Sequence, residues 1–199
     1  MHTQRLVILG RDGILNQYRA DHVKAPEEWV PIPGALEAVA RLNHAGWHVV
    51  VATNQSGIGR GMIDMAAVNA VHVEMHRRLL AVGGRLDAVF FCPHTPEDGC
   101  ECRKPRPGML RDIGTRFGAD LSQVPLVADT LRDLQAAQAA GCPPHLVLTG
   151  RAAGLDNEAL QAILAEVPGT TVHASLSGFA DFLLGCEHGD GDHAAPSAR

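Results

Sequence analysis

Short runs of apolar residues alternate along the chain with stretches in which apolar residues recur three and four positions apart. The short runs are typical of strands in a parallel sheet, and the longer period is that of a helix packed on one side. The predicted strands are residues 5–9, 48–52, 87–91, 124–128, 145–148 and a short segment near 171–172. The predicted helices are residues 34–46, 65–80, 107–117 and 132–140, with a further helix within 156–184.

This alternation predicts an α/β fold, a three-layer doubly wound parallel sheet with helices on both faces. A chain of 199 residues can bury a sizeable core, and residues 1–185 are expected to form a single domain. Residues 186–199 are polar and rich in Gly, Ala and His, and we expect them to form a disordered tail. Ligands of such folds bind outside the carboxyl ends of the strands.

Composition narrows the class of protein. With 46% hydrophobic and 20% charged residues, the chain resembles soluble globular proteins. A net charge of −5 without a basic stripe argues against a nucleic-acid partner. No apolar run approaches the length of a membrane span, and the N-terminus lacks the pattern of a secretion signal. We therefore expect no membrane association and a cytoplasmic location.

Residues suited to phosphate chemistry follow three of the predicted strands. Asp12 follows the first, residues 53–57 follow the second, and Asp129 follows the fourth. Asp12 can act as general acid and base, residues 53–57 offer a hydroxyl and backbone N–H groups to phosphate oxygens, and Asp129 can hold Mg²⁺. Each also has a plainer explanation as a turn residue or a helix cap. Their coincidence at three strand ends favours a phosphoryl-transfer site.

Three cysteines and a histidine crowd together after the third predicted strand. Three thiolates and one imidazole complete a tetrahedral Zn²⁺ set with no open position, which is the structural type of zinc site. The alternative is a group of free thiols beside a surface histidine. The predicted zinc ligands are Cys92, His94, Cys100 and Cys102.

Two basic residues, Arg103 and Lys104, follow the last of these cysteines. The ammonium of Lys104 could offset the negative charge that develops on a phosphoryl group, and the guanidinium of Arg103 suits a second anionic group. The alternative is a solvated basic pair. A zinc loop beside them would fix their positions, and this favours a role at the site.

These motifs together resemble the haloacid dehalogenase (HAD) superfamily and, within it, the D,D-heptose 1,7-bisphosphate phosphatases. The resemblance covers about residues 5–150, and its motifs are residues 10–13, 53–57, the cysteine–histidine loop 92–102, 103–105 and 128–129. It implies a Rossmann-like fold without a large cap domain, dependence on Mg²⁺ and a structural Zn²⁺. It also implies removal of the 7-phosphate from a heptose bisphosphate, a small phosphorylated sugar used in lipopolysaccharide or related surface-sugar synthesis.

The resemblance also implies residue roles. Asp12 is the expected acid and base, and its main-chain carbonyl joins the Asp129 carboxylate on Mg²⁺. Thr53 and Lys104 are expected to steady the phosphoryl group. The remaining residues are expected to bind substrate: Asn54, Gln55, Ser56, Arg60 and Arg103.

The chain departs from the family pattern at Gly10, where the family has the aspartate that attacks phosphorus and also holds Mg²⁺. Glycine has no side chain and can do neither, and Asp12 cannot replace it because Asp12 is needed as the acid. We expect the chain to be catalytically dead or severely impaired, with weakened Mg²⁺ binding and an unaffected fold. A smaller departure is Ala128, where the family usually has glycine.

Other interpretations of the same residues remain open. A working enzyme could use direct attack by water, and a non-catalytic protein could keep the scaffold only to bind phosphosugars. Histidinol phosphate is the alternative substrate, because phosphatases that act on it share this zinc loop. The chain is expected to be a monomer.

Overall fold

The structure is a computed structural model that describes residues 5–189. One sheet of six parallel strands has the order β3-β2-β1-β4-β5-β6. The strands are β1 (Leu6–Leu9), β2 (His48–Asn54), β3 (Ala88–Cys92), β4 (Leu126–Ala128), β5 (Pro144–Val147) and β6 (Thr171–His173). The helices are α1 (Ala35–His44), α2 (Ser56–Gly59), α3 (Met65–Ala81), α4 (Gly108–Phe117), α5 (Leu131–Ala140), α6 (Asn157–Glu166) and α7 (Leu176–Gly189). Short 3-10 helices cover Pro26–Glu28, Pro96–Asp98, Leu121–Gln123 and Gly150–Ala152.

The central strand β1 shows why the sheet has a helical layer on each face. All four of its side chains are buried, and they alternate between two cores. Val7 and Leu9 pack with residues of α1, α3 and α7, whereas Leu6 and Ile8 pack with residues of α4 and α5. Because successive side chains of a strand point to opposite faces, an unbroken apolar run requires cover on both sides. The predicted three-layer α/β fold is therefore confirmed.

The predicted strands and helices agree with the observed ones to within a few residues. The short helix α2 and the four 3-10 helices were not predicted, because single turns carry no apolar period. Helix α7 continues to Gly189, four residues into the segment expected to be a tail, and residues 190–199 lie outside the described part of the chain. None of the described helices has the length and apolar character needed to cross a membrane.

The strand order places β1 between β2 and β4. The carboxyl ends of these three neighbouring strands therefore lie side by side, and they carry the residues that the sequence marks as chemical. Gly10 continues the central ladder, because its N–H donates to the carbonyl of Val127 in β4 at 2.9 Å. The fold thus brings distant motifs to one edge of the sheet.

A pair of buried histidines joins β5 and β6 on the other half of the sheet. His145 Nδ1 and His173 Nε2 are 3.0 Å apart, and both rings pack edge-on against Phe179 of α7. Burial, reinforced by the neighbouring His173, lowers the pKa of His145 from 6.5 to about 4, and burial also lowers the pKa of His173. The folded protein therefore disfavours the protonated form of both imidazoles relative to the unfolded chain.

We expect the free energy of unfolding to fall as the pH drops below 6.5 toward 4. In this range the two histidines bind protons more readily in the unfolded chain than in the folded protein. The contribution of the pair is fully present above the unfolded pKa. Urea unfolding at a series of pH values would measure it, with the double variant His145→Gln/His173→Gln as the reference. Carboxylates titrate in both proteins, so the difference between them isolates the histidines. Equal pH dependence of the two proteins would contradict the prediction.

Candidate active site

The carboxyl ends of β1, β2 and β4 open into a cleft of about 250 Å³. Most residues predicted from the sequence line this cleft, and they come from four separate segments of the chain. They are Asp12, Thr53, Asn54, Ser56, Arg60, Arg103, Lys104 and Asp129. The expected convergence of the three strand ends is therefore present in the fold.

The Asp12 carboxylate is held by a buried guanidinium. Arg11 Nη2 lies 3.0 Å from each Asp12 oxygen, and Asn16 Nδ2 donates to Oδ1 at 2.9 Å. Arg11 is 2% exposed, and its Nη1 donates to His72 Nε2 at 3.4 Å. Burial, with the Arg11 charge as a further cause, lowers the pKa of His72 to about 4, so the ring is a neutral acceptor. The contacts with Arg11 and Asn16 thus fix the orientation of the Asp12 carboxylate in the cleft.

Gln55 does not line the cleft, contrary to its expected role in substrate binding. Its side chain is 4% exposed, and its amide oxygen, in the orientation that matches donors with acceptors, accepts from Arg11 Nη1 at 2.6 Å and Nη2 at 2.9 Å. Burying an unpaired guanidinium would be costly, so the amide turns inward. This arrangement was not expected from the sequence, because residues 53–57 as a whole were predicted to bind phosphate oxygens or substrate.

Asp129 rests against two glycines that leave room for its carboxylate. A Cβ at Gly13 would lie 2.0 Å from Asp129 Oδ2, and a Cβ at Gly150 would lie 2.3 Å from it. The same oxygen accepts from the Arg151 N–H at 2.8 Å. Burial raises the pKa of Asp129 to about 6, and the nearby Asp133 charge also raises it. A cation beside this carboxylate would offset the cost of its burial.

Lys104 is 3% exposed and reaches across the cleft floor. Its Nζ donates to the carbonyl of Ala52 in β2 at 2.8 Å and pairs with Asp133 Oδ2 at 3.0 Å. Its backbone is fixed as well, because the Asn54 side-chain amide donates to the Lys104 carbonyl at 3.0 Å and accepts from the Lys104 N–H at 3.2 Å. Asp133 lies four positions after Asp129, in the first turn of α5.

The four predicted zinc ligands lie together. The sulfurs of Cys92, Cys100 and Cys102 and a ring nitrogen of His94 all lie within 4.8 Å of one another, and the sulfurs are 3.3–3.5 Å apart. Tetrahedral Zn²⁺ with Zn–S bonds of about 2.3 Å holds its sulfurs roughly 3.8 Å apart, so the donors fit such an ion. Arg103 Nη1 donates to the carbonyl of His94 at 3.0 Å, which ties the cleft to this loop.

Gly10 directly precedes Arg11 and Asp12, which line the cleft, and has no side chain of its own. An added Cβ would lie 3.0 Å from Ile14 Cγ1, 3.7 Å from the Val127 carbonyl oxygen and 4.0 Å from Asp133 Oδ2, so a Cβ would fit with a small shift of Ile14. Ala128 is part of a regular strand. It does not have positive φ, because among the described residues other than glycine only His22 does. The Ala128 methyl is therefore compatible with its backbone.

Comparisons with known proteins find one matching family model and several similar proteins. The HAD-hydrolase-like family model matches residues 101–178. The D-glycero-beta-D-manno-heptose-1,7-bisphosphate 7-phosphatase of Bordetella bronchiseptica is 53% identical over 180 residues, which is 90% of this chain and 98% of that protein. The corresponding protein of Neisseria meningitidis serogroup A is 45% identical over 195 residues, 98% of this chain and 99% of that protein.

A solved structure extends the likeness to three dimensions. The D,D-heptose 1,7-bisphosphate phosphatase from B. bronchiseptica, complexed with magnesium and phosphate, superposes with a TM-score of 0.84 at 51% identity. The match covers 92% of this chain and 99% of that chain. The likeness thus extends over nearly the whole length of both proteins.

We predict that Gly150→Ala destabilises the fold more than Gly154→Ala does. Both glycines have positive φ (57° and 80°), so both variants carry the backbone cost of about 1 kcal/mol. Only the Gly150 variant also drives a methyl into the Asp129 carboxylate and, at 2.4 Å, against the Cα of Gly13, and overpacking of this kind costs about 1–3 kcal/mol more. Urea unfolding of the two variants measures the difference. Equal losses would show that the carboxylate does not need the glycine.

Proposed function

Because this chain belongs to the D,D-heptose 1,7-bisphosphate phosphatase family of HAD-like hydrolases, we propose that it is the scaffold of a Mg²⁺-dependent sugar-phosphate phosphatase with lost or severely impaired turnover. One observation carries the proposal. Gly10 at the end of β1 has no side chain at the position where the sequence resemblance implies an attacking carboxylate, while Asp12, Thr53, Lys104 and Asp129 line the cleft beside it.

The proposed ligand is a phosphorylated heptose, the substrate for which the relatives are named. The cleft suits such a ligand because the buried Lys104 and the guanidinium of Arg103 both line it. Thr53 adds a hydroxyl at the end of β2. In this proposal, Thr53 and Lys104 hold the phosphoryl group, and Asn54, Ser56, Arg60 and Arg103 contact the rest of the ligand.

The Asp129 carboxylate and the main-chain carbonyl of Asp12 would hold Mg²⁺. The ion would supply positive charge beside the phosphoryl oxygens. Burial raises the pKa of the Asp129 carboxyl, so a cation beside the carboxylate would offset the cost of burying it, and the B. bronchiseptica relative is complexed with magnesium. The donor set lacks the carboxylate that an aspartate at Gly10 would add, so Mg²⁺ affinity is expected to be weaker than in the relatives.

The residues of this chain can bind and orient a phosphate ester but have no side chain at Gly10 to attack it. Arg11 and Asn16 orient Asp12, which is the proposed acid and base. The step that Asp12 would assist lacks its nucleophile. Losing a nucleophile that acts as part of a unit costs on the order of 10⁵-fold or more in rate, which corresponds to about 7 kcal/mol of barrier. The protein is thereby left with phosphosugar binding as its main capability.

The cysteine–histidine cluster is proposed to hold a structural Zn²⁺. All four donors are protein side chains, so the ion would have no open position for substrate. Its proposed role is to fix the loop that carries Arg103 and Lys104.

Gly10→Asp is expected to raise phosphate release from heptose 1,7-bisphosphate by about 10⁵-fold, because it restores the missing nucleophile. Gly10→Asn is the matched control, since it has the same shape and cannot form an acyl phosphate. A malachite-green assay in Mg²⁺ would measure both variants, with histidinol phosphate as the second substrate. Brisk turnover by the unmodified chain, or equal rates for the Asp and Asn variants, would refute the proposal.

Replacing a zinc ligand is expected to remove the metal and loosen the adjacent loop. The Cys100→Ser variant should lose bound zinc, measured by elemental analysis, and should melt at a lower temperature. Cys142→Ser is the control, because Cys142 is buried away from the cluster and its variant should keep one zinc per chain. If the purified wild-type protein and the Cys100→Ser variant hold the same amount of zinc, the cluster is not a zinc site.

A further inference from the structure

The cations that line the cleft fall into two groups. Four have a carboxylate oxygen within 4.0 Å: Arg11, Arg19, Lys104 and Arg132. Among residues 5–189, the other three have no ion pair with a carboxylate: Arg60, Arg103 and Arg151. Unpaired guanidinium groups in a cleft have their charge available for an anionic ligand.

Arg151 is the one of these three that an aromatic ring holds in place. Its guanidinium carbon lies 4.1 Å from the centroid of the Tyr18 ring. Tyr18 is 37% exposed and lines the same cleft. A cation over an aromatic face is attracted by the ring and loses side-chain freedom. The guanidinium is therefore positioned before any ligand arrives.

Both partners of this Tyr18–Arg151 stack are tied to the carboxylates of the site. The backbone N–H of Arg151 donates to Asp129 Oδ2 at 2.8 Å. Two residues before Tyr18, the Asn16 side chain donates to Asp12 Oδ1 at 2.9 Å. The stack is therefore formed by the same two chain segments that contact Asp12 and Asp129. Because at most two residues separate the stacked side chains from these contacts, the position of the stack relative to the two carboxylates is restricted.

We propose that the Tyr18–Arg151 stack is a specificity element of the cleft. Arg151 contacts a second anionic group of the ligand, apart from the phosphoryl group held near Lys104, and Tyr18 keeps the guanidinium in position for that contact. The inference rests on the proposed function, and the ligand class is a sugar that carries two phosphoryl groups. The stack favours such ligands over sugar monophosphates, which have no second dianion to place there.

Calorimetric titration of the unmodified protein in Mg²⁺ tests the proposal. The probes are heptose 1,7-bisphosphate, heptose 7-phosphate and inorganic phosphate. Arg151→Gln should weaken binding of the bisphosphate about tenfold, because it removes a charge-assisted contact, and should change binding of the other two probes less than twofold. Arg116→Gln, an exposed change on α4 outside the cleft, should leave all three affinities unchanged.

Variants of Tyr18 distinguish the contribution of the stacked ring to binding from that of the Arg151 charge. Tyr18→Leu should weaken bisphosphate binding about threefold, whereas Tyr18→Phe, which keeps a ring under the guanidinium, should stay within twofold. In the Arg151→Gln background, Tyr18→Leu should add no further loss, because the two residues act as one unit. Thermal melting of each variant confirms that it is folded.

The outcomes distinguish the inference from the function on which it rests. If Arg151→Gln weakens all probes equally or none of them, the specificity role is wrong and the proposed function stands. Additive losses for Tyr18 and Arg151 would overturn the stack as a unit. If the unmodified protein binds neither sugar phosphate, the proposed function fails and the inference fails with it.

Discussion

The buried ammonium of Lys104 is the interaction on which the geometry of the cleft depends. It joins the loop after the cysteines to the carbonyl of Ala52 in β2 and to Asp133 in α5. A charge with 3% exposure needs such partners, and removing one partner of a buried pair costs about 3–5 kcal/mol. Loop, strand and helix are thereby held in one arrangement. None of these contacts involves residue 10, so this arrangement does not require a side chain there.

The balance of charge in the cleft follows from the same arrangement. Among the described residues, seven Arg or Lys side chains and three aspartates line it. Asp12 and Asp133 are each paired with a cation, and Asp129 has its pKa raised to about 6 by burial. Gly10 adds no charge at this edge, so the balance of the cleft is toward positive charge. This balance favours the binding of anions and disfavours the binding of a divalent cation.

The sequence predicted those features that depend on local patterns. Apolar periods located the strands and helices, and residues that follow strands β1, β2 and β4 were expected at one edge because a parallel sheet brings its carboxyl ends together. The close spacing of the four metal donors needed no tertiary information. The inward turn of Gln55 and the stack of Arg151 on Tyr18 could not be predicted, because each depends on the direction of a side chain toward a distant segment.

The two glycines that pack against Asp129 have a consequence for how the sequences of such proteins diverge. Gly13 and Gly150 must stay small because a buried oxygen occupies the space that their side chains would need. That demand comes from packing and persists whether or not a chain turns over substrate. A chain that loses turnover would therefore keep these two glycines for as long as it remains folded, so their presence reports the architecture around Asp129 and not activity.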